Sequence, residues 1–418
     1  MKKNGFTLVE ITVCVVLLVT IFLIVVPKVN TMINNKKKNA YNSLISTVKD
    51  AAQAYVYLNV NIVDDAIESQ GYYEVSIRTL QENELLENKL ENPLTGKNIP
   101  STSIVKIIKN NEEYIYKFSL DYQYLLEHII DLYSNEETRI SNGLKKDNTP
   151  DQNIRYYGSD PNNYVSFNSE LWRIIGVFGN NVKLVRKDSL GSLSWDSSES
   201  SINGGFGVNE WSQADLKNYL NTMYYGGTTV TCYGGTKNST TTCPTNILDN
   251  TAKTLIDNHT WNTGAIEYNT RTDTVAFYKD ERGNQTGKIC NGGTFCSDTV
   301  ERTTTWTGYI GLPYPTDYAY ASGENICETN MVKQDSSDAY ICENNNWMFK
   351  SIWYWTLSPF ARSANSRYVW YVNGDGDVNN SNAASGGAVF PAIYLKSNVL
   401  IESGAGTSSN PYILKAGS

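Results

Sequence analysis

Phe6–Val26 is a run of 21 almost uniformly apolar residues that carries one carboxylate, Glu10, close to its start. Burying an ionised carboxylate in hydrocarbon costs about 2.5 to 3.5 kcal/mol on insertion scales, so an acid in such a run implies a partner that neutralises it. The run is long enough to span a membrane, because about 20 residues at about 1.5 Å rise cover the roughly 30 Å hydrocarbon core. Lys2 and Lys3 precede it directly and no small-x-small cleavage site follows, so an ordinary secretory signal does not fit.

Cysteines are the second chemical signal. Cys14 lies in the apolar run and reads as a small packing residue. Cys232, Cys243, Cys290, Cys296, Cys327 and Cys342 are crowded into one stretch, and an even number in an exported segment reads as disulfides. Nearest-neighbour pairing is expected, 232 with 243, 290 with 296 and 327 with 342, since each pair brackets a short loop rich in Gly, Ser, Thr or Asn. Structural zinc is disfavoured because no CxxC occurs and His128 and His259 are not spaced as ligands, so no metal site is expected.

Support for catalysis is thin. His259 in "DNHTWN" reads as a loop residue, and the chain has no Gly-x-Ser-x-Gly elbow or phosphate-binding Gly loop, so the chain is not expected to be an enzyme. A formal net charge of −8 gives no general attraction to nucleic acid. The 29 Tyr and 9 Trp instead suit a contact surface of rigid aromatics and adaptable polar groups.

The densest such stretch is Tyr354–Gly387, in which 15 of 34 residues are Asn, Ser, Tyr or Asp. Its candidate contacts are Arg362, Asn365, Arg367, Tyr368, Tyr371, Asn373, Asp375, Asp377, Asn379, Asn380 and Asn382. A plain hairpin with "NGDGDVNN" at its turn explains the same composition, and both readings stand at this point. The "DGD" oxygens suit a hard cation, but the EF-hand pattern needs Glu at its twelfth position and counting from Asp375 reaches Gly386, so no cofactor is expected and calcium would at most stiffen a loop. Trp172, Trp195, Trp353, Trp355 and Trp370 read mostly as core.

The elements that must carry these residues follow from periodicity. Ala40, Tyr41, Leu44, Ile45, Val48, Ala51, Ala52 and Tyr55 recur at three and four residues, which predicts one helix from Phe6 to about Tyr57. "SIVKIIK" and "YIYKFSL" around Asn110-Asn111 read as a hairpin in a small α+β head over 58–134. A second amphipathic helix is expected from Asp121 to about Tyr133. The polar, aperiodic 135–153 reads as a linker, and 154–418 as one large β-rich domain whose longest helix is "EWSQADLKNYLNTMY".

The residues Gly5, Phe6, Thr7, Leu8, Val9 and Glu10 resemble the processing site of a type IV prepilin or pseudopilin. That resemblance implies a leader over 1–5 removed between Gly5 and Phe6 by a prepilin peptidase that methylates the new amine. It also implies a helix over 6–57 whose first part, 6–26, lies in the cytoplasmic membrane before assembly and in a filament core afterwards. Glu10 would then face the amine of Phe6 on a neighbouring pilin subunit, a carboxylate favourable only when paired and so selective for assembly.

Phrases such as "NNYVSFNSELWRIIGVFGNNVKLVRKD", "YWTLSP" and "FPAIYLKSNVLIESGAGTSSNPYIL" resemble a C-terminal domain of Gram-positive surface and phage proteins, and the closing pattern resembles C-type-lectin-like variable binding domains. Together the resemblances imply an α+β chain with a long pilin helix, a small α+β head and a C-type-lectin-like domain with disulfide-bearing insertions. The implied function is a minor pilin or pseudopilin displaying an adhesin-like domain at a pilus tip, on the cell surface, toward an extracellular glycan or protein ligand. A structural pilus component for secretion or DNA uptake, with a non-binding cap, is the competing class.

Overall fold

A computed structural model describes residues 36, 39–40, 43–93, 98–110, 113–119, 123–199, 205–267, 273–283, 303–332, 342–361 and 366–417. Gly5, Phe6, Glu10 and the apolar run lie outside the described residues. The chain divides into two compact units, Met1–Gln123 and Tyr124–Ser418.

In the first unit, residues 43–58 are helical and bury Val48, Ala51, Ala52, Tyr55 and Val56. These are the positions that share one face at helical spacing. They pack on Val75, Ile77, Leu80, Val105 and Ile107. Tyr73–Ser76, Ile104–Asn110 and Glu113–Ser119 form an antiparallel three-stranded sheet in that order. The helix Ile77–Glu82 starts where the Ser76 hydroxyl accepts from the Thr79 N–H at 3.0 Å, satisfying one of its orphan donors.

The expected fold needs correction here. The described chain is mixed α+β, mostly strands with short helices, and it shows no single long N-terminal helix. The helical run ends at 58, and a separate helix, Val60–Gln70, follows. Asn59 makes the break: its φ of −130° leaves the helical region, and its side-chain amide donates to the Tyr55 carbonyl at 2.9 Å. Among the described residues no helix is long and apolar enough to cross a membrane. The C-type-lectin-like plan is likewise replaced, among the described residues of the second unit, by two large sheets and two two-stranded ribbons, because short phrases such as "WTLSP" constrain a strand and not the order in which strands pair.

The larger of those sheets runs in the order Ile310–Gly311, Ala392–Leu395, Asn181–Arg186, Glu170–Phe178, Tyr164–Phe167, Tyr412–Ala416, Val399–Ser403. Glu170–Phe178 is central because "ELWRIIGVF" is buried along nearly its whole length, as a strand covered on both faces must be. It also pairs with Ile154–Tyr156, and a Cβ on Gly176 would lie 2.1 Å from the Ile154 carbonyl oxygen, so only glycine admits that approach. The smaller sheet runs Ser192–Ser194, Gly386–Ala388, Tyr354–Ala361, Tyr368–Val372, Val378–Asn382, with Ile266–Glu267 added beside Tyr354–Ala361. Trp172, Trp195, Trp211, Trp261, Trp355 and Trp370 are all completely buried within this unit.

The helix expected from Asp121 is Leu125–Ser134, with Leu125 and Ile129 in the core. The stretch 135–153 is structured: Glu136–Ser141 is a helix capped by Asn135, and Leu144–Lys146 pairs with Ile154–Tyr156. Its polar residues turn inward, with Asp147 accepting from the Thr149 hydroxyl at 2.6 Å, the Asn153 N–H at 3.0 Å and Arg155 Nε at 2.8 Å. Cys232–Cys243 and Cys327–Cys342 are disulfides with Cα separations of 5.2 and 5.3 Å, while Cys290 and Cys296 lie outside the described residues. In "EWSQADLKNYLNTMY" Trp211, Ala214, Leu216, Tyr219, Leu220 and Tyr224 are buried with Glu210, and Asp215 accepts from the Ser197 N–H at 2.8 Å.

His128 makes this unit sensitive to acid. Its Nε2 lies 2.9 Å from the Tyr412 hydroxyl, and burial pulls its pKa down to about 4. The unfolded chain therefore takes up the proton first, and stability is lost as the pH falls from about 6.5 through about 4. A His128→Gln variant is expected to lose on the order of 2 to 3 kcal/mol less than the parent across that window. Urea midpoints at pH 7 and pH 4 measure it, and equal losses in the two proteins would remove His128 as the cause.

Candidate functional site

The candidate contacts fall on a hairpin made by Tyr368–Val372 and Val378–Asn382, paired from Tyr368 opposite Asn382 to Val372 opposite Val378. Its turn is held by its own polar side chains. The Asn373 N–H donates to the Asp377 carbonyl at 2.7 Å, its amide donates to Asp377 Oδ1 at 2.9 Å, and the Gly374 N–H donates to Asn373 Oδ1 at 2.9 Å. Gly376 supplies the left-handed φ of +91° that closes the loop. Asp377 is buried and Asp375 is exposed, so the two carboxylates of "DGD" are not presented together.

Several candidates are already engaged inside the molecule. Asn379 donates to Asp377 Oδ2 at 3.4 Å and accepts from the Asn380 N–H at 2.8 Å. Arg367 lies over the ring of Phe206, 4.6 Å from its centroid, and donates through Nη2 to the Tyr368 hydroxyl at 3.0 Å. Asn382 Oδ1 is buried without a hydrogen bond among the described residues. Arg362 and Asn365 lie outside the described residues.

Tyr371 is different. Residues directly opposite across an antiparallel pair share a face, so Tyr371 lies on the same side as Trp355 and Asn379. Trp353, just ahead of the strand Tyr354–Ala361, joins them: its ring is 5.2 Å from Tyr371 and 5.1 Å from Trp355, edge to face in both cases. Trp355 is fully buried and anchored by Nε1 donating to the Leu193 carbonyl at 3.0 Å, whereas Trp353 and Tyr371 are half-buried. Gly387 makes room for the indoles, since a Cβ there would sit 2.5 Å from the Trp353 ring. Burial, with Asp377 and Asp375 adding to it, raises the Tyr371 pKa, so the phenol is neutral and able to donate.

Trp353 was read as a core residue from sequence, and its exposure is the residue-level surprise. The period of two could have found it: Trp353 and Trp355 share a side of one chain segment, and the one outside the strand is the one left open. The two partly accessible rings, each an apolar body with a polar N–H or O–H, are the combination that suits a ligand with alternating apolar and hydroxyl surface.

No known protein family, curated protein or solved structure matches this chain.

The strongly perturbed acids and bases are elsewhere, in the core of the second unit. Asp317 accepts from Arg155 Nη1 at 2.6 Å and from Lys183 Nζ at 2.5 Å, with Glu281 close by, paired with Arg282 at 3.1 Å. Burial lowers Lys183 to about 8 and raises Glu281 to about 7. Arg155, Lys183, Glu281 and Asp317 are each 0 or 1% exposed, which closes them to any substrate and makes the cluster structural. His259 stacks on Tyr394 at 3.7 Å, and its Nδ1 is 3.1 Å from Asp257 Oδ2. Among the described residues no group of three His, Cys, Asp or Glu side chains could hold a metal ion.

Proposed function

We propose that this chain is a minor type IV pilin or pseudopilin whose second unit is displayed outside the cell and binds a surface glycan on the Trp353–Tyr371 face. The observation that carries the binding role is the half-open Trp353–Tyr371 pair in a unit that buries six other tryptophans completely. Both rings keep part of their surface accessible while packing on the core, which leaves room for a ligand to stack on them. The two disulfides suit an oxidising exterior.

The assembly role rests on the N-terminal resemblance. A prepilin peptidase would cut between Gly5 and Phe6, the chain would wait in the cytoplasmic membrane through 6–26, and Glu10 would register it against neighbouring pilin subunits. The acidic balance of the chain argues against nucleic acid as the ligand of the second unit.

The test is a glycan screen with the full chain in detergent, beside Trp353→Ala and Tyr371→Ala variants whose near-ultraviolet spectra remain native. Each substitution is expected to weaken binding by about tenfold or more, as truncation of an aromatic anchor does. Unchanged affinity in the double variant would remove the face as the site. A folded parent that binds no glycan would leave a structural pilus component as the better account.

A further inference from the structure

A surface cleft of about 460 Å³ is lined by Lys187, Asp188, Phe349, Lys350, Ile352 and Phe390. It adjoins a narrow recess of about 10 Å³, room for about one water-sized atom, whose wall includes Arg173, Arg186, Lys187 and Lys350. Four cations converge on one small space. Three of them have an acid: Arg173 with Asp160 at 3.1 Å, Arg186 with Glu170 at 3.0 Å, and Lys187 with Asp188 at 3.5 Å. Lys350 has no carboxylate within ion-pair distance among the described residues, and its Nζ instead lies over the Phe390 ring, 5.6 Å from the centroid.

The cations are held in place. Arg173 is sandwiched by the rings of Tyr164, at 3.9 Å, and Trp347, at 4.8 Å, and it donates to Asn163 Oδ1 at 2.7 Å and the Pro161 carbonyl at 3.1 Å. Trp347 is itself fixed by Nε1 donating to the Tyr156 carbonyl at 2.9 Å. Burial, reinforced by the charges of Arg173 and Lys187, pulls Lys350 down to about 8. Asp188, on the cleft wall, opposes that shift but is itself engaged 3.5 Å from Lys187 Nζ, so an ammonium beside other cations is relieved by a further anion that enters.

We infer that the cleft around Lys350 is a binding site for a single anionic group, a carboxylate or a sulfate, and that the glycan bound on the neighbouring face is therefore acidic. The second half of this statement rests on the proposed function, and the first half does not. The two places are close: Lys350 and Trp353 are three residues apart, so their Cα atoms lie within about 11 Å. Gly374 of the hairpin turn reaches the same strip, with its Cβ position 3.2 Å from the Ser351 carbonyl oxygen. Ile352 lines the cleft and Trp353 packs on Tyr371 from the other side of the same segment, so an oligosaccharide that crosses this edge of the chain would join the two.

The cleft is tested on the full chain by the reactivity of Lys350 toward reductive methylation, mapped by mass spectrometry, in sodium sulfate, sodium glucuronate or sodium chloride of equal ionic strength. Sulfate or glucuronate is expected to slow Lys350 by about tenfold while exposed Lys396 reacts alike in all three. Whichever of the two protects names the anion, and equal reactivity of Lys350 in all three overturns the site. The acidic-glycan half is tested with a neutral chito-oligosaccharide, an oligogalacturonate and a sulfated chondroitin oligosaccharide. An acidic probe should bind about tenfold tighter than the neutral one, an advantage lost in Lys350→Gln and kept in Lys350→Arg, whereas Trp353→Ala weakens all the probes. Protection by an anion with no preference for acidic probes would overturn the acidic-glycan half alone, and protection with no oligosaccharide binding at all would overturn the aromatic face as a glycan site.

Discussion

Asp317→Ala is expected to destabilise the second unit by about 3 to 5 kcal/mol. The carboxylate sits in the first turn of the helix Pro315–Tyr320, where it accepts from the Tyr314 N–H at 2.9 Å as well as from Arg155 and Lys183. Burial alone would raise its pKa, but the charges of Lys183 and Arg155 outweigh that and hold it below the usual carboxylate range. Removing it strands the fully buried Lys183 and leaves Arg155 with Asp147 alone, and breaking a buried pair by deleting one partner costs about 3 to 5 kcal/mol. A domain is stable by only about 5 to 15 kcal/mol, so the loss takes a large share of the total. Asp317→Asn keeps an acceptor for Tyr314 and removes the charge, so it should fall between the parent and the alanine variant. Urea titration followed by tryptophan fluorescence reports the change through the six buried indoles, and a midpoint within error of the parent's would show that the cluster is not what holds this core.

Glu281→Gln is expected to change the pH dependence of stability more than its value at low pH. Burial raises Glu281 to about 7, with Arg282 and Lys183 opposing and Asp317 adding to the rise. Between about 4.5 and about 7 the native chain keeps a proton that the unfolded chain has released, so stability falls as the pH rises through that window. The span corresponds to about 3 kcal/mol. His128 works in the opposite direction over an overlapping range, which would flatten the parent's profile and hide both groups. The difference between variant and parent isolates Glu281: glutamine still accepts from the Thr316 hydroxyl, now 3.1 and 3.2 Å from the two carboxylate oxygens, and does not titrate. Its advantage over the parent should grow by about 3 kcal/mol from pH 4.5 to pH 7.5, and a flat difference curve would mean that Glu281 ionises in the fold as it does in water.

How much of this was legible depends on how far apart the interacting residues are. The helical stripe through Val48, Ala52 and Tyr55 was readable because the residues that share a helix face are three and four apart. The pairs 232 with 243 and 327 with 342 were readable because short polar loops bring near neighbours together. Asn59 defeated the reading of one continuous helix: a single side chain competing for backbone hydrogen bonds ends the run without disturbing the apolar pattern. The stretch 135–153 looked like a linker because its polar residues have no local partner, yet Asn153 donates to the hydroxyl of Tyr278, 125 residues away.

The candidate face divides the same way. The hairpin and its turn could be placed from "NGDGDVNN", because Asn, Gly and Asp choose their turn conformation locally. That Asp377 would be buried, and that Trp353 would stay open beside Tyr371 while Trp355 sank, depends on which strand lies alongside. The cleft at Lys350 is further from view, since Arg173, Lys187 and Lys350 meet only because two distant stretches of chain pass the same point.

By itself, the sequence determined the apolar run with its single acid, the pairing of Cys232 with Cys243 and Cys327 with Cys342, and many of the local strands, turns and helix faces, which follow from short-range periodicity and backbone preference. The tertiary structure alone decided which aromatic remained exposed, which carboxylates were buried, and where the cations gathered. Asp317 meets Lys183 and Arg155 across 134 and 162 residues, and no local pattern encodes a pairing whose energy exists only once water has been excluded around it.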